Sequence, residues 1–191
     1  MNKIVAIASS TGGPKALNAI IPKLPKDLQA PVVIVQHMPE KFTKTFSVRL
    51  DEMSEISVQE AEDGMKVEKG HVYIAKAGTH MKVSPYGKTH FIHFSDEASR
   101  EGVKPCANYM YESLAACNYD EIIAVVLTGM GADGSVGIEE LMKHKKVKVL
   151  IQDKESSVVY GMPGSIIKHE IPHEVVRLDD IPRAIIKSLE V

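Results

Sequence analysis

The chain has 191 residues, 44% hydrophobic and 25% charged, with 23 basic against 25 acidic side chains and a formal net charge of −2. That length and balance fit one globular domain, which at this size buries about 70% of its unfolded surface without needing disulfides or a structural metal. A charge so near neutrality argues against nucleic acid as a partner, because binders of phosphate backbones carry dense basic surfaces. No apolar run reaches the roughly 18 residues of a membrane span, so no membrane insertion is expected. The opening MNKIVAIASSTGG runs straight into a Gly-rich turn rather than a cleavage site. A cytoplasmic location is expected.

In chain order, the pattern predicts a strand over 4–8, a helix over 14–24, a strand over 31–36 and a helix over 42–53. Short strands follow over 72–75, 81–84 and 89–93, the last two joined by a Pro85-Tyr86-Gly87-Lys88 turn. Then come a helix over 104–117, a strand over 122–127, a helix over 135–144, a strand over 147–151 and a last helix near 182–189. Pro14 and Pro182 stand where a first-turn proline is tolerated. The strands at 4–8 and 122–127 are apolar throughout, and those at 31–36 and 147–151 are so apart from Gln36 and Lys148, as expected of strands covered on both faces. The fold class expected is therefore α/β: a doubly wound, mostly parallel sheet with helices on both faces and an appended antiparallel hairpin. No linker or internal repeat divides the chain, so residues 1–191 read as a single domain.

Cys106 and Cys117 fall in one predicted helix, about 16 Å apart along its axis. That is too far for a disulfide, and they read as small buried apolar residues. Tyr109, Met110 and Leu114 read as core packing on the same helix, and the lysines of 143–148 as a solvated helix end.

In an open parallel sheet, ligands gather beyond the carboxyl ends of the strands. Three loops lie there: Ala8-Ser9-Ser10-Thr11-Gly12-Gly13-Pro14, Gln36-His37-Met38-Pro39 and Thr128-Gly129-Met130-Gly131-Ala132-Asp133-Gly134-Ser135. Together they supply a serine, a histidine and an aspartate, the parts of a hydrolytic triad. A serine in a tight strand-to-helix turn is held exposed, and free N–H groups at the helix start face a developing oxyanion. Each residue also has a plainer role. Ser10 or Thr11 can cap the helix or line a phosphate cradle, His37 can be a satisfied polar residue, and Asp133 is a good N-cap for the next helix. Their coincidence at one sheet edge favours chemistry.

These loops closely resemble those of the CheB-type chemotaxis protein-glutamate methylesterases. The likeness runs through Ile7-Ala8-Ser9-Ser10-Thr11-Gly12-Gly13, Val35-Gln36-His37-Met38-Pro39 and Leu127-Thr128-Gly129-Met130-Gly131-Ala132-Asp133-Gly134. It extends to Ala61-Glu62-Asp63-Gly64, Gly70-His71-Val72-Tyr73-Ile74-Ala75, Gly78-Thr79-His80-Met81, Gln152-Asp153 and Tyr160-Gly161-Met162-Pro163, covering essentially the whole chain. The resemblance implies a catalytic domain that hydrolyses glutamyl methyl esters on the cytoplasmic helices of chemoreceptors and deamidates receptor glutamines. It implies Ser10 as nucleophile, His37 as general base and Asp133 as the residue orienting the imidazole, with Thr11 and the Met130 N–H on the oxyanion side. It implies no cofactor and no metal.

Family members ordinarily carry an N-terminal receiver domain whose phosphorylation relieves inhibition, and this chain is read as the catalytic domain without one. The chain departs from the family pattern at Ser9, where a small residue without a hydroxyl is usual, and at Ala132, where asparagine is common. Ala75-Lys76-Ala77-Gly78 lacks a usual proline, and Pro105-Cys106-Ala107-Asn108 replaces Pro-Ser-Val-Asp.

Two rivals remain. His169-Glu170-Ile171-Pro172-His173 spells the H-E-x-x-H of zinc proteases, but Pro172 breaks the helix that motif needs. His90 and His93, three apart on a strand, point to opposite faces and cannot share a metal. The alternative from another class is a non-catalytic phosphate- or nucleotide-binding α/β domain using the Ser10–Gly13 turn, which lacks the Walker lysine and the full G-x-G-x-x-G.

Overall fold

A computed structural model describes residues 1–190. Along the chain run β1 (Lys3–Ser9), α1 (Gly13–Ile20), β2 (Val32–Gln36), α2 (Phe42–Glu52), β3 (Ser57–Glu60) and β4 (His71–Ile74). Next come β5 (His80–Tyr86), β6 (Thr89–Ser95), α3 (Ala107–Ser113), β7 (Glu121–Val126) and α4 (Ser135–Met142). The remainder is β8 (Lys146–Gln152), α5 (Gly161–Lys168), β9 (Glu174–Val176) and α6 (Ile181–Glu190).

Seven strands form one parallel sheet in the order β3-β4-β2-β1-β7-β8-β9, and β5 and β6 form a separate antiparallel pair. Every residue of β1, β2 and β7 is buried. Successive side chains of a strand point to opposite faces, so these strands feed two cores. Val5, Ile7, Ile34, Ile123 and Val125 pack with Leu17 of α1, Leu50 of α2 and Ile185 of α6. Ile4, Ala6, Val35, Ala124 and Val126 pack on the other face with α3, α4, α5 and the hairpin, through Met110, Ile138, Ile166 and Met81. The doubly wound α/β architecture is thus observed, with the hairpin laid over one helical face. Helix α1 shows why the sequence folds this way: Gly13, Ala16, Leu17 and Ile20 are its buried residues, a one-sided helical spacing. No helix among the described residues is long and apolar enough to cross a membrane.

Several boundaries differ from expectation. The strand expected over 72–75 is β4, which lies inside the parallel sheet between β2 and β3. The helix expected over 14–24 ends at Ile20 and continues as a 3-10 turn, Ile21–Lys23. The helix expected over 104–117 is shorter: Lys104-Pro105 is a cis peptide, α3 starts at Ala107, and a 3-10 turn covers Leu114–Ala116. The two cysteines therefore do not share a helix, since Cys106 precedes α3 and Cys117 follows the 3-10 turn, both buried. Of the lysines of 143–148, Lys143 is the solvated end of a helix, as expected, and the others are not. Helix α4 stops at Met142, Lys145 donates to the Cys117 carbonyl at 2.6 Å, and Lys146 and Lys148 pair from β8 with Glu121 and Glu174. Strands β3 and β9 and helix α5 were not anticipated.

Candidate active site

Strand order places the site. From β1 the chain turns toward β2, and from β7 toward β8, so the loops leaving these two adjacent strands diverge and open a crevice at their carboxyl ends. Ser10 follows β1, His37 follows β2, and Asp133 lies in the loop after β7.

The turn at Ser10 is set by backbone chemistry. The Gly13 N–H donates to the Ser10 carbonyl at 2.8 Å, and Gly12, third residue of that turn, has φ 81° and ψ −6°. This is the type II geometry in which glycine avoids a Cβ clash. Ser10 is half-buried, whereas Ser9 is fully buried and donates its hydroxyl to Gln36 Oε1 at 2.6 Å. Of the two serines, only Ser10 is accessible to a substrate. Among the described residues, no hydrogen-bond partner takes the Ser10 hydroxyl.

Gln36 ties the first two loops together, a role the sequence did not disclose. Its Nε2 donates both to the Ser10 carbonyl at 3.0 Å and to the His37 carbonyl at 2.9 Å. A Cβ on Gly13 would fall 1.8 Å from Gln36 Oε1, so the glycine makes room for the clamp. The His37 N–H in turn donates to the Ser9 carbonyl at 3.1 Å, keeping the histidine loop beside β1.

His37 Nε2 lies 2.7 Å from Asp133 Oδ2, with side chains 12% and 2% exposed. The imidazole nitrogen left for chemistry is therefore Nδ1. Asp133 does not cap α4, whose N-cap is Gly134 with φ 102°. Instead its carboxylate accepts from the start of α3: Ala107 N–H at 2.7 Å, Asn108 N–H at 3.0 Å and the Cys106 thiol at 3.0 Å. Burial alone would raise its pKa, but the hydrogen bonds from His37, Ala107 and Cys106 outweigh that and hold the carboxyl below its ordinary value. Cys106 is thus more than buried apolar volume. Burial and the neighbouring Asp133 charge push its thiol up to about 12, so it stays protonated and donates.

The Thr128–Gly134 loop is braced from two sides. Thr128 Oγ1 donates to the Thr11 carbonyl at 2.9 Å and accepts from the Val158 and Val159 N–H groups, each at 3.0 Å. Gly129 lies directly against the serine: a Cβ there would fall 2.9 Å from Ser10 Cβ and 2.3 Å from Met162 Sδ. The adjoining Met130 is 73% exposed, and Thr11 is exposed. Among the described residues, neither backbone N–H has a protein acceptor.

Beside His37, a pocket of about 270 Å³ is lined by Met38, Pro39, Val103, Lys104 and Pro105. The H-E-x-x-H segment lies elsewhere and is not helical, since α5 ends at Lys168. His169 there pairs with Glu139 at 2.9 Å. His90 is buried and His93 exposed, on opposite faces of β6.

Residues 5–185 match the CheB methylesterase family model. A protein of Bacillus subtilis (strain 168), named protein-glutamate methylesterase/protein-glutamine glutaminase, is 44% identical over 185 residues, covering 96% of this chain and 51% of that protein. One of the same name from Bacillus licheniformis is 43% identical, covering 98% of this chain and 53% of its own length. The chain spans about half the length of the curated relatives it matches. The crystal structure of the Thermotoga maritima CheB methylesterase catalytic domain superposes with a TM-score of 0.93 at 40% identity, covering 98% of this chain and 99% of that one.

Proposed function

The chain belongs to the CheB methylesterase family, and from that premise and the geometry around Ser10 we propose that it hydrolyses glutamyl methyl esters on the cytoplasmic helices of chemoreceptors. In this reading residues 1–191 are the catalytic domain. Its partners are methylated receptors and, in a full-length protein, a phosphorylated receiver domain, and its location is cytoplasmic.

What carries the proposal is the contact of 2.7 Å between His37 Nε2 and an almost fully buried Asp133 carboxylate, one strand away from an accessible serine. Ser10 Oγ attacks the ester carbonyl while His37 Nδ1 takes the hydroxyl proton. Asp133, held ionised by its donors, stabilises the imidazolium that forms. The negative oxygen of the tetrahedral intermediate is taken by the Thr11 and Met130 N–H groups. Its collapse expels methoxide, which leaves as methanol with the proton from His37. Water, deprotonated by the same nitrogen, then attacks the glutamyl ester of Ser10 and restores the serine, leaving a carboxylate on the receptor. A glutamine substrate follows the same route with ammonia leaving. It reacts more slowly, because the poorer leaving group depends on proton delivery by His37.

The test is methanol release from a methylated chemoreceptor cytoplasmic fragment, with receptor peptides followed by mass. Ser10→Ala should lower turnover by a factor on the order of 10³ or more. Release that survives in the variant would overturn the assignment. Nucleotide-induced thermal stabilisation without methanol release would return the anion-binding alternative.

A further inference from the structure

His80 opens β5, on the hairpin that takes no part in the main sheet, and its side chain meets the residue that precedes α3. The residue is fully buried. The Cys106 N–H donates to its Nδ1 at 3.1 Å, and Nε2 lies 3.1 Å from the Ala98 carbonyl. A backbone N–H can only donate and a carbonyl can only accept. The two partners therefore fix one neutral tautomer, with the lone pair on Nδ1 and the proton on Nε2.

The same ring thereby joins both ends of the 98–106 loop. One end of that loop supplies Val103, Lys104 and Pro105 to the wall of the pocket beside His37. Its last residue, Cys106, begins the run of donors that holds Asp133, through its thiol and the Ala107 and Asn108 N–H groups. Tyr109 packs edge-on against the imidazole at 4.6 Å between centroids, and the cations of Lys82 and Arg100 lie 5.1 and 5.3 Å from the Tyr109 ring. Glu97 and Lys104 are the charged groups that act on the ring. Burial, with Lys104 adding to it, keeps the imidazole below its ordinary pKa against the opposing pull of the Ala98 and Glu97 carbonyls and the Glu97 charge.

We propose that His80 is a positioning residue for the reaction at Ser10: by accepting the Cys106 N–H at Nδ1 it fixes the donors that orient the Asp133 carboxylate toward His37. It touches neither substrate nor reacting atoms, and it gives the hairpin a task in catalysis. This inference rests on the reading of Ser10, His37 and Asp133 stated above.

The two ring nitrogens can be tested separately. Asn places an amide oxygen near the Nδ1 position and keeps the acceptor for Cys106. Gln reaches the Nε2 position and leaves the Cys106 N–H without its partner. Wild type, His80→Asn, His80→Gln and Ser10→Ala are compared by methanol release from the methylated receptor fragment, at a temperature where circular dichroism shows each folded.

His80→Gln should lose about tenfold to hundredfold in kcat, the scale of an ångström-sized misplacement of a catalytic group, with KM changed less than about threefold. His80→Asn should stay within about threefold of wild type. Equal kcat in the Gln variant and wild type, or a folded Asn variant as impaired as Gln, would overturn the proposal. Should the Gln variant fail to fold, the Asn variant decides alone, because a purely space-filling role predicts no rescue by the shorter side chain. Undiminished release by Ser10→Ala marks failure of the underlying triad instead, whatever the His80 variants do.

Discussion

At the scale of single residues, the site depends on groups that do no chemistry. Gln36 is the clearest case, because one amide satisfies the carbonyls of both Ser10 and His37 while its oxygen takes the Ser9 hydroxyl. Gln36→Leu would nearly keep the volume and strand the Ser9 hydroxyl and the His37 carbonyl, while the Ser10 carbonyl keeps the Gly13 N–H. A buried group left without its partner costs about 1–3 kcal/mol. The variant should accordingly melt several degrees lower and lose about tenfold or more in kcat through altered spacing of serine and histidine. Thermal melts and methanol release measure the two effects, and an unchanged kcat would deny the clamp its role. Gly13→Ala should produce the same defect, since its Cβ would fall on Gln36 Oε1. The two changes combined should cost less than their sum, because they break one arrangement.

At the scale of elements, β1 and β7 form the floor of the crevice, and α3 is fastened across them. Tyr111, fully buried on α3, points its hydroxyl at the carbonyls of Ala6 and Val125, each at 3.2 Å. Tyr111→Phe keeps the ring and removes only that bond, so denaturant unfolding should show a loss of about 1 kcal/mol. No change would mean that the hydroxyl gains nothing over water.

Which elements the sequence disclosed follows from the same packing. β1, β2 and β7 are centred on apolar runs, and β8 carries Val149-Leu150-Ile151, because helices cover both of their faces, so pattern alone found them. Strand β3 reads Ser-Val-Gln-Glu with one buried residue, and β9 has three residues with only Val176 buried. Such edge strands bury too little to leave a pattern. Helix α5 begins Gly-Met-Pro-Gly, which reads as a breaker, yet its Met162 and Ile166 are fully buried. Tertiary packing overrides propensity there. The three site loops were legible because each follows a recognisable strand. The supports were not: Gln36, Cys106 and His80 meet the site through folded geometry, and nothing in the sequence shows that Asp133, a triad candidate and also a candidate cap of the helix that follows it, accepts from the start of α3.

At the scale of the whole molecule, two buried histidines tie the fold to pH. The Asn118 N–H donates to His90 Nε2 at 3.0 Å, just as Cys106 donates to His80, and Tyr119 stacks on the His90 ring at 4.2 Å. Burial, together with Lys145 nearby, lowers the His90 pKa from 6.5, and burial first of all lowers that of His80 from the same value. Protonating either ring turns its acceptor into a donor facing an N–H. Above 6.5 folded and unfolded chains both hold neutral rings, and the contribution is present in full. As pH falls below that value, the unfolded chain takes up protons that the folded rings refuse, so stability declines until the lowered folded values are reached. Urea unfolding at a series of pH values should therefore show stability dropping from about pH 6.5 downward, before the carboxylates titrate. His90→Gln supplies a neutral acceptor at the Nε2 position and removes one of the two titrating rings. Whatever its stability at neutral pH, its acid slope in this interval should be shallower than that of the wild type. A slope identical to the wild type would place the acid sensitivity elsewhere than in the His90–Asn118 contact.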